Sequence, residues 1–295
     1  MFCRAESPSV TSGTAIRRLP EIVAGRVSYL QYVITSRTTG PTTAPVFHWI
    51  DEHLPDTDSA HAVLLAFTTN EGGVSESAWE GMNLGGNTGD HPDHVRRNRS
   101  AVAAAFGVEH DHLLFMDQCH GSTVVAVDGP WVGDAPRADG IVTRATDLAL
   151  AVLVADCVPV LLVDPAAGVV GAVHAGRPGM TGGVVAEAVS AMRDLGAKKI
   201  SAAVGPSVCG RCYEVPPVMR AAAAAVSPVS ATVSWTGTPA IDVAGGVVDQ
   251  LTDAGVAVTW VPGCTREDPR LYSYRRDGVT GRFAGVVRLL SGRTA

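Results

Sequence analysis

The sequence predicts a compact α/β domain. Three observations carry that reading: apolar runs of strand length, glycine-rich turns between them, and Ala-, Val- and Leu-rich segments with helical spacing, all from Ala62 onward. At 295 residues and 46% hydrophobic content the chain has ample material for a core. Residues 1 to about 45 stand apart, rich in Ser, Thr and Arg and weakly periodic except at Val27 to Ile34. They are expected to form a poorly ordered N-terminal extension without a clean hydrophobic leader core, with 46–295 as a single catalytic domain.

The first well-marked helix is expected to start at an Asp90 N-cap, carry Pro92 in its first turn, and run to Phe106 before Gly107. Val95, Arg99, Val102 and Phe106 recur at helical steps, which places Arg99 on the face otherwise directed to the core. A guanidinium there needs a partner, and carbonyls of a neighbouring loop serve as well as a ligand.

Leu148 to Val154 reads as a buried strand that ends at Ala155-Asp156-Cys157. Val158 to Val163 and Val169 to Val173 read as the two arms of a hairpin, joined by the turn sequence Asp164-Pro165-Ala166-Ala167-Gly168. Antiparallel strands return on themselves, so Cys157 and His174, at the outer ends of that hairpin, are expected to be close in space. After His174 comes a glycine-rich stretch, Ala175 to Gly183, that matches neither a Walker loop nor a dinucleotide fingerprint and reads either as a plain strand-to-helix turn or as backbone suited to approach an anion. A helix is expected next, with Val184, Val185, Ala188, Val189, Met192 and Leu195 on one side and Gly196 at its end.

Three stretches each offer one soft metal ligand among small residues: Gln118-Cys119-His120-Gly121, Ala155-Asp156-Cys157 and Val173-His174-Ala175-Gly176. Two imidazoles and a thiolate are an incomplete tetrahedral set, the arrangement that leaves one position for water or substrate. The chain therefore reads as a metal-dependent enzyme. Asp156 suits a general acid or base, a carboxylate that orients a ligand, or a turn cap. Cys209-Gly210-Arg211-Cys212 has C-x-x-C spacing but no matching second pair, so it reads as two incidental thiols; Cys3 and Cys264 are isolated. His91, His94, His110 and His112 surround a helix and its exit and read as solvent-facing.

A formal net charge of -6 and a sequence pI near 5.8 argue against a nucleic-acid surface. No apolar stretch approaches the roughly 18 to 20 residues that span a bilayer, so no membrane partner is expected. Six irregularly spaced cysteines suit reduced thiols in the cytoplasm better than a disulfide framework.

Taken in order, the motifs resemble the YfiH family. They are Asn83-Leu84-Gly85 with Gly89-Asp90 and Asn98-Arg99; Gln118-x-His120-Gly121; Ala138-Asp139-Gly140 before Thr143; Ala155-Asp156-Cys157-x-Pro159; and His174-Ala175-Gly176. Gly205-Pro206 through Tyr213-Glu214-Val215, and Ser273-Tyr274-Arg275-Arg276-Asp277 through Thr280-Gly281-Arg282, complete the set. Proteins of this family were first described as multicopper polyphenol oxidoreductases, or laccase-like, and have since been assigned as purine nucleoside phosphorylases. The resemblance implies mixed β-sheets flanked by helices, similar to the catalytic domain of cytotoxic necrotizing factors. It also implies a zinc site made by His120, Cys157 and His174. The implied activity is phosphorolysis of adenosine, inosine, guanosine and methylthioadenosine to the base and a pentose 1-phosphate, with adenosine deamination as a second reaction. Positioning of phosphate and of the departing purine would then fall to Arg99, Arg177 or Arg276, with Asp156 the candidate proton donor.

Two departures from the family pattern stand out. Arg177-Pro178-Gly179 replaces the usual Trp-Arg-Gly, so the arginine is shifted by one place, and Asn70-Glu71 precede Gly72-Gly73-Val74-Ser75 where an Arg is common. Two other chemistries use the same residues. Cys157 and His174 suit the nucleophile and base of a cysteine hydrolase or deamidase. Copper-dependent polyphenol oxidation is a third reading, although it needs many more His ligands than this sequence clusters.

Overall fold

The computed structural model describes residues 43–53 and 61–290. The expected extension lies outside them except for its last few residues, as do Cys3 and the apolar Val27 to Ile34. In chain order the strands are β1 (Phe47–His53), β2 (Ala62–Thr68), β3 (Leu113–Leu114), β4 (Val124–Val127), β5 (Gly140–Thr143), β6 (Ala149–Val154) and β7 (Val158–Asp164). They continue with β8 (Val169–Ala175), β9 (Ser201–Val204), β10 (Ala231–Val233), β11 (Pro239–Ile241), β12 (Ala257–Trp260) and β13 (Phe283–Leu290). The helices are α1 (Pro92–Ala105), α2 (Arg177–Gly182), α3 (Val184–Asp194), α4 (Pro217–Val226), α5 (Val243–Asp253) and α6 (Tyr274–Asp277).

Two mixed sheets dominate. One has five strands in the order β1-β2-β13-β6-β3, the other six in the order β12-β9-β7-β8-β5-β4, and β10 and β11 form a small separate pair. Alternation along β7 shows how they pack. Leu161 and Val163 join a core with Phe67, Leu150, Val152, Phe283 and Val287 of the five-stranded sheet. Val158, Val160 and Leu162 point the other way, into a core with Met180, Val184, Val189, Val247 and Leu251 of the helices. A strand covered on both faces has no polar side to show, which is why this segment is an unbroken apolar run.

The expected hairpin is present: β7 pairs with β8 antiparallel, with Val158 opposite Ala175 and Pro159 opposite His174. Its turn is held by Asp164, which is buried; Oδ1 accepts from Ala167 N, and Oδ2 accepts from Lys198 N and Lys199 N at 2.6 and 2.8 Å. Gly168 closes the turn at φ 64, in the left-handed region open to glycine.

Two expectations are corrected. Asp90 does not cap α1. Its carboxylate instead accepts from Ser75 Oγ and Asn83 Nδ2, and the ring of His91 takes the capping position by accepting from Asp93 N. The segment after His174 is not a continuous loop either: residues 177–182 form α2, and Gly183 at φ 89 turns the chain into α3. The apolar face of α3 is as expected, with Val184, Val185, Ala188, Val189 and Met192 buried.

Between β3 and β4, and again between β6 and β7, the chain passes from the five-stranded sheet to the six-stranded one. Because β3 and β6 are parallel neighbours, both passages leave from the same end of their sheet.

Candidate metal centre and its cleft

The two passages carry the site. The first is pinned by Gln118, whose amide donates from Nε2 to Leu153 O and accepts from Leu153 N at Oε1, both at 2.8 Å, as a further strand beside β6 would. His120 follows in the left-handed region at φ 61, unusual for a residue with a Cβ. Asp139 holds it there. That carboxylate is wholly buried at the mouth of β5 and accepts from the backbone N–H of Cys119, His120 and Gly121 at 3.3, 2.9 and 2.6 Å.

The second passage turns at Asp156, also at positive φ, 100°. Its carboxylate is fully engaged: Oδ1 accepts from Thr265 Oγ1 and Ser273 Oγ, Oδ2 accepts from Arg275 N, each at 2.6 Å, and the Asp156 carbonyl accepts from Val208 N. This fixes the corner from which Cys157 projects. His174 enters from β8, and its Nδ1 meets Asp139 Oδ1 at 2.8 Å.

Together these elements bring the donor atoms of His120, Cys157 and His174 within 4.8 Å of one another. Cys157 Sγ stands 3.7 Å from His120 Nε2, and the two imidazole rings meet edge-on with centroids 4.7 Å apart. The donor set fits a borderline-soft divalent cation. Two further features support the fit. Asp139 occupies Nδ1 of His174 and so aims Nε2 inward, as acceptors behind metal-binding histidines do. At Gly176 a Cβ would lie 2.7 Å from His120 Cδ2 and 3.1 Å from Cys157 Sγ, so bare backbone lines the cradle.

Electrostatics bind the cluster together. Burial pushes the Cys157 thiol up, but the charge of His174 and hydrogen bonds from both histidines outweigh it and hold the group below the usual thiol range. Burial alone would depress His174, yet the Cys157 charge and the Asp139 hydrogen bond raise it. Asp139 is itself lowered to about 2, because hydrogen bonds from His174, Gly121 N and Cys119 overcome the cost of burial.

The cluster opens into a cleft of about 1310 Å³. Five guanidinium groups line it: Arg137, which pairs with Asp117 at 3.8 Å, and the four of Arg99, Arg177, Arg275 and Arg282. Among the described residues none of the four forms an ion pair with a carboxylate. Arg99 donates from Nε to Leu84 O and stacks 4.1 Å from the Phe115 ring centroid, and burial brings its pKa down to about 10. Arg177 has a buried Nε with no hydrogen-bond partner among the described residues. Arg275 lies over Tyr213 at 4.9 Å. Arg276, by contrast, is spent on structure: it donates to the carbonyls of Thr265, Asp268 and Leu271 and pairs with Asp277, and it does not line the cleft.

Sequence reasoning left Asp139, Gln118, Arg275 and Arg282 without roles. Asp139 had a signal: a lone carboxylate at the start of an apolar run must find partners when buried. Cys264, isolated in the sequence, is not isolated in the fold. Cys264 and Glu267 come beside Cys209 and Cys212, with donor atoms again within 4.8 Å of one another. The sequence separation hid this pairing of loops. Of the other histidines, His91 N-caps α1 and lies 5.3 Å from His94 between ring centroids, His94 faces Asp90, His110 meets Ser100 and His112 faces Asp111 and Asp147.

A mixed α/β scaffold with three donors gathered at its sheet-to-sheet passages, a set that could hold a metal ion, defines the class of this protein. The chain belongs to the YfiH family, the family model described as multi-copper polyphenol oxidoreductase laccase matching residues 64–290. Among its relatives, purine nucleoside phosphorylase ORF3 of Streptomyces griseus is 52% identical over 240 residues, covering 80% of this chain and 96% of the relative. A purine nucleoside phosphorylase of Deinococcus radiodurans is 41% identical over 233 residues, 77% and 90% of the two chains. Of solved structures, Neisseria meningitidis protein NMB0706 matches with a TM-score of 0.70 and 31% identity, covering 82% of this chain and 99% of that one. The hypothetical protein YfiH of Bacillus licheniformis matches with a TM-score of 0.69 and 27% identity, covering 79% and 97%.

Proposed function

We propose that this protein is a zinc-dependent purine nucleoside phosphorylase acting on adenosine, inosine, guanosine and methylthioadenosine, with adenosine deamination at the same site. The observation that carries the proposal is the convergence of His120, Cys157 and His174 in a cleft where the guanidinium groups of Arg99, Arg177, Arg275 and Arg282 form no ion pair among the described residues. The names of the relatives support the choice of reaction.

Zinc held by His120, Cys157 and His174 would supply Lewis-acid polarisation to a substrate oxygen or a water. The chain's own residues do the rest. Arg99, Arg177, Arg275 and Arg282 hold the phosphate dianion and set its oxygen against the anomeric carbon, so that the C–O bond forms as the bond to the purine breaks. Phe115, Trp131 and Tyr213, which line the same cleft, offer flat apolar surface to the base. Asp156 acts as a positioning residue, because the three hydrogen bonds of its carboxylate, from Thr265, Ser273 and Arg275, hold the corner that presents Cys157. A cytoplasmic setting, which keeps that thiol reduced, belongs to the same proposal.

Metal-analysed protein incubated with adenosine and phosphate should release adenine in proportion to phosphate, and inosine without it. Absence of any base release from zinc-loaded protein would overturn the proposal. His120→Ala, Cys157→Ala and His174→Ala should each abolish turnover and lower the bound metal while circular dichroism stays native. A variant with wild-type rate removes its residue from the site.

One observation favours a second reading. Cys157, His174 and Asp139 stand in the order of nucleophile, base and orienting carboxylate, with the thiol already depressed. Inactivation of metal-free, turning-over protein by alkylation would select the thiol hydrolase; loss of activity on chelation and rescue by zinc selects the metal enzyme. Metal analysis of the purified protein separates zinc from copper.

A further inference from the structure

The second gathering of sulfur lies apart from the His120 cluster, on the loops that follow β9 and β12. Those strands pair in parallel, so their loops emerge side by side, and a bridge between Ser207 and Cys264 prolongs the pairing. On the first loop Cys209 O accepts from Cys212 N at 2.9 Å and Tyr213 N at 3.1 Å, a tight turn that brings both thiols to one side. Gly210 at its tip is packed so closely that a Cβ would lie 2.7 Å from Asp242 Cβ, so the turn is seated against the start of α5. On the second loop Glu267 N and Asp268 N both donate to Cys264 O.

We propose that Cys209, Cys212, Cys264 and Glu267 form a second metal centre, a four-donor site for one zinc-class divalent cation. Three thiolates and a carboxylate complete a tetrahedron, the closed set of structural sites, whereas the His120 cluster has three donors and an open side. The spacing suits it. Donors bound to one zinc at about 2.3 Å lie about 3.8 Å from one another, so a cluster already within 4.8 Å needs only a small contraction. Cys209 N points at Cys264 Sγ at 3.5 Å, a donor already directed at a sulfur that carries charge once metal is bound. Cys212 Sγ lies 3.3 Å from Glu267 Oε1. Cys212 is buried while Glu267 is exposed, so the carboxylate is the side from which a cation enters. Each thiol that enters as S–H gives up its proton to solvent on binding.

Such a centre clasps the two loops from which Val208 and Thr265 reach Asp156. It therefore braces the corner that presents Cys157 without contributing a ligand there.

Cobalt(II) titration of reduced protein tests the proposal, and a Cys157→Ser background keeps the result independent of the His120 cluster. That variant should still bind one equivalent, with a sulfur-to-cobalt charge-transfer band roughly three times that of a single-thiolate site. Adding Cys264→Ser should remove the binding. Glu267 is exposed, so Glu267→Gln leaves the fold intact; it should keep the band and weaken affinity by about tenfold or more. Two results would overturn the proposal: no cobalt bound by fully reduced Cys157→Ser protein, or a disulfide among these three cysteines, in place of metal, in protein purified without reductant.

Discussion

At the scale of single residues, Asp139 governs the centre. One buried carboxylate takes three consecutive backbone amides and the ring of His174, so it sets both the conformation of His120 and the orientation of His174. Asp139→Asn keeps the shape, loses the charge and exchanges an acceptor for a donor. Metal affinity should fall about 10- to 100-fold, as measured by competition with a chromophoric chelator. The arginines separate in the same way. Arg275 faces the cleft and Arg276 is bonded to loop carbonyls, although they are adjacent in sequence. Arg275→Met should raise KM for phosphate by about tenfold or more, the value of a lost charged hydrogen bond, with a smaller change in kcat. Arg276→Met should leave that KM in place and lower the unfolding midpoint.

At the scale of elements, the β7–β8 hairpin was legible in the sequence because both strands are buried on both faces and the turn carries its own signature from Asp164 to Gly168. The same hairpin is what places Cys157 next to His174, since Val158 pairs with Ala175 and Pro159 with His174. What is not legible is the assignment of β6 and β7 to different sheets, since β6 pairs with β13, far along the chain, and the corner between them is held by Thr265, Ser273 and Arg275, more than a hundred residues away. The start of α1 was misplaced for the same reason: distant Ser75 claims the Asp90 carboxylate. Asp164 gives the hairpin a measurable pH signature. Burial works to raise its carboxyl, but the amides of Lys198, Lys199 and Ala167 hold it below the usual range. A depressed folded-state pKa stabilises above the unfolded-state value and loses that contribution as pH falls through the folded one. Urea denaturation should therefore show Asp164→Asn less stable than wild type near neutrality, with the gap closing in acid below the ordinary carboxylate pKa. A gap that stays constant to low pH would remove Asp164 from that role.

At the scale of the whole molecule, three of the family's motifs converge because two passages leave one sheet from the same end and meet a strand of the other. On the proposed function, that convergence would make a bound cation a partner of the folded state alone. Zinc at about a hundred times its dissociation constant should add about 2.7 kcal/mol per site, which for a domain of this size raises the unfolding midpoint by about 5–10 °C. Scanning calorimetry with zinc and with chelator measures this, and identical midpoints would argue against binding. Ligands drawn from three separate stretches of chain also mean that no fragment can own the centre. A nascent or half-docked polypeptide offers scattered imidazoles and thiols but no gathered set of donors, so on the proposed function metal would be captured only once both sheets are in place.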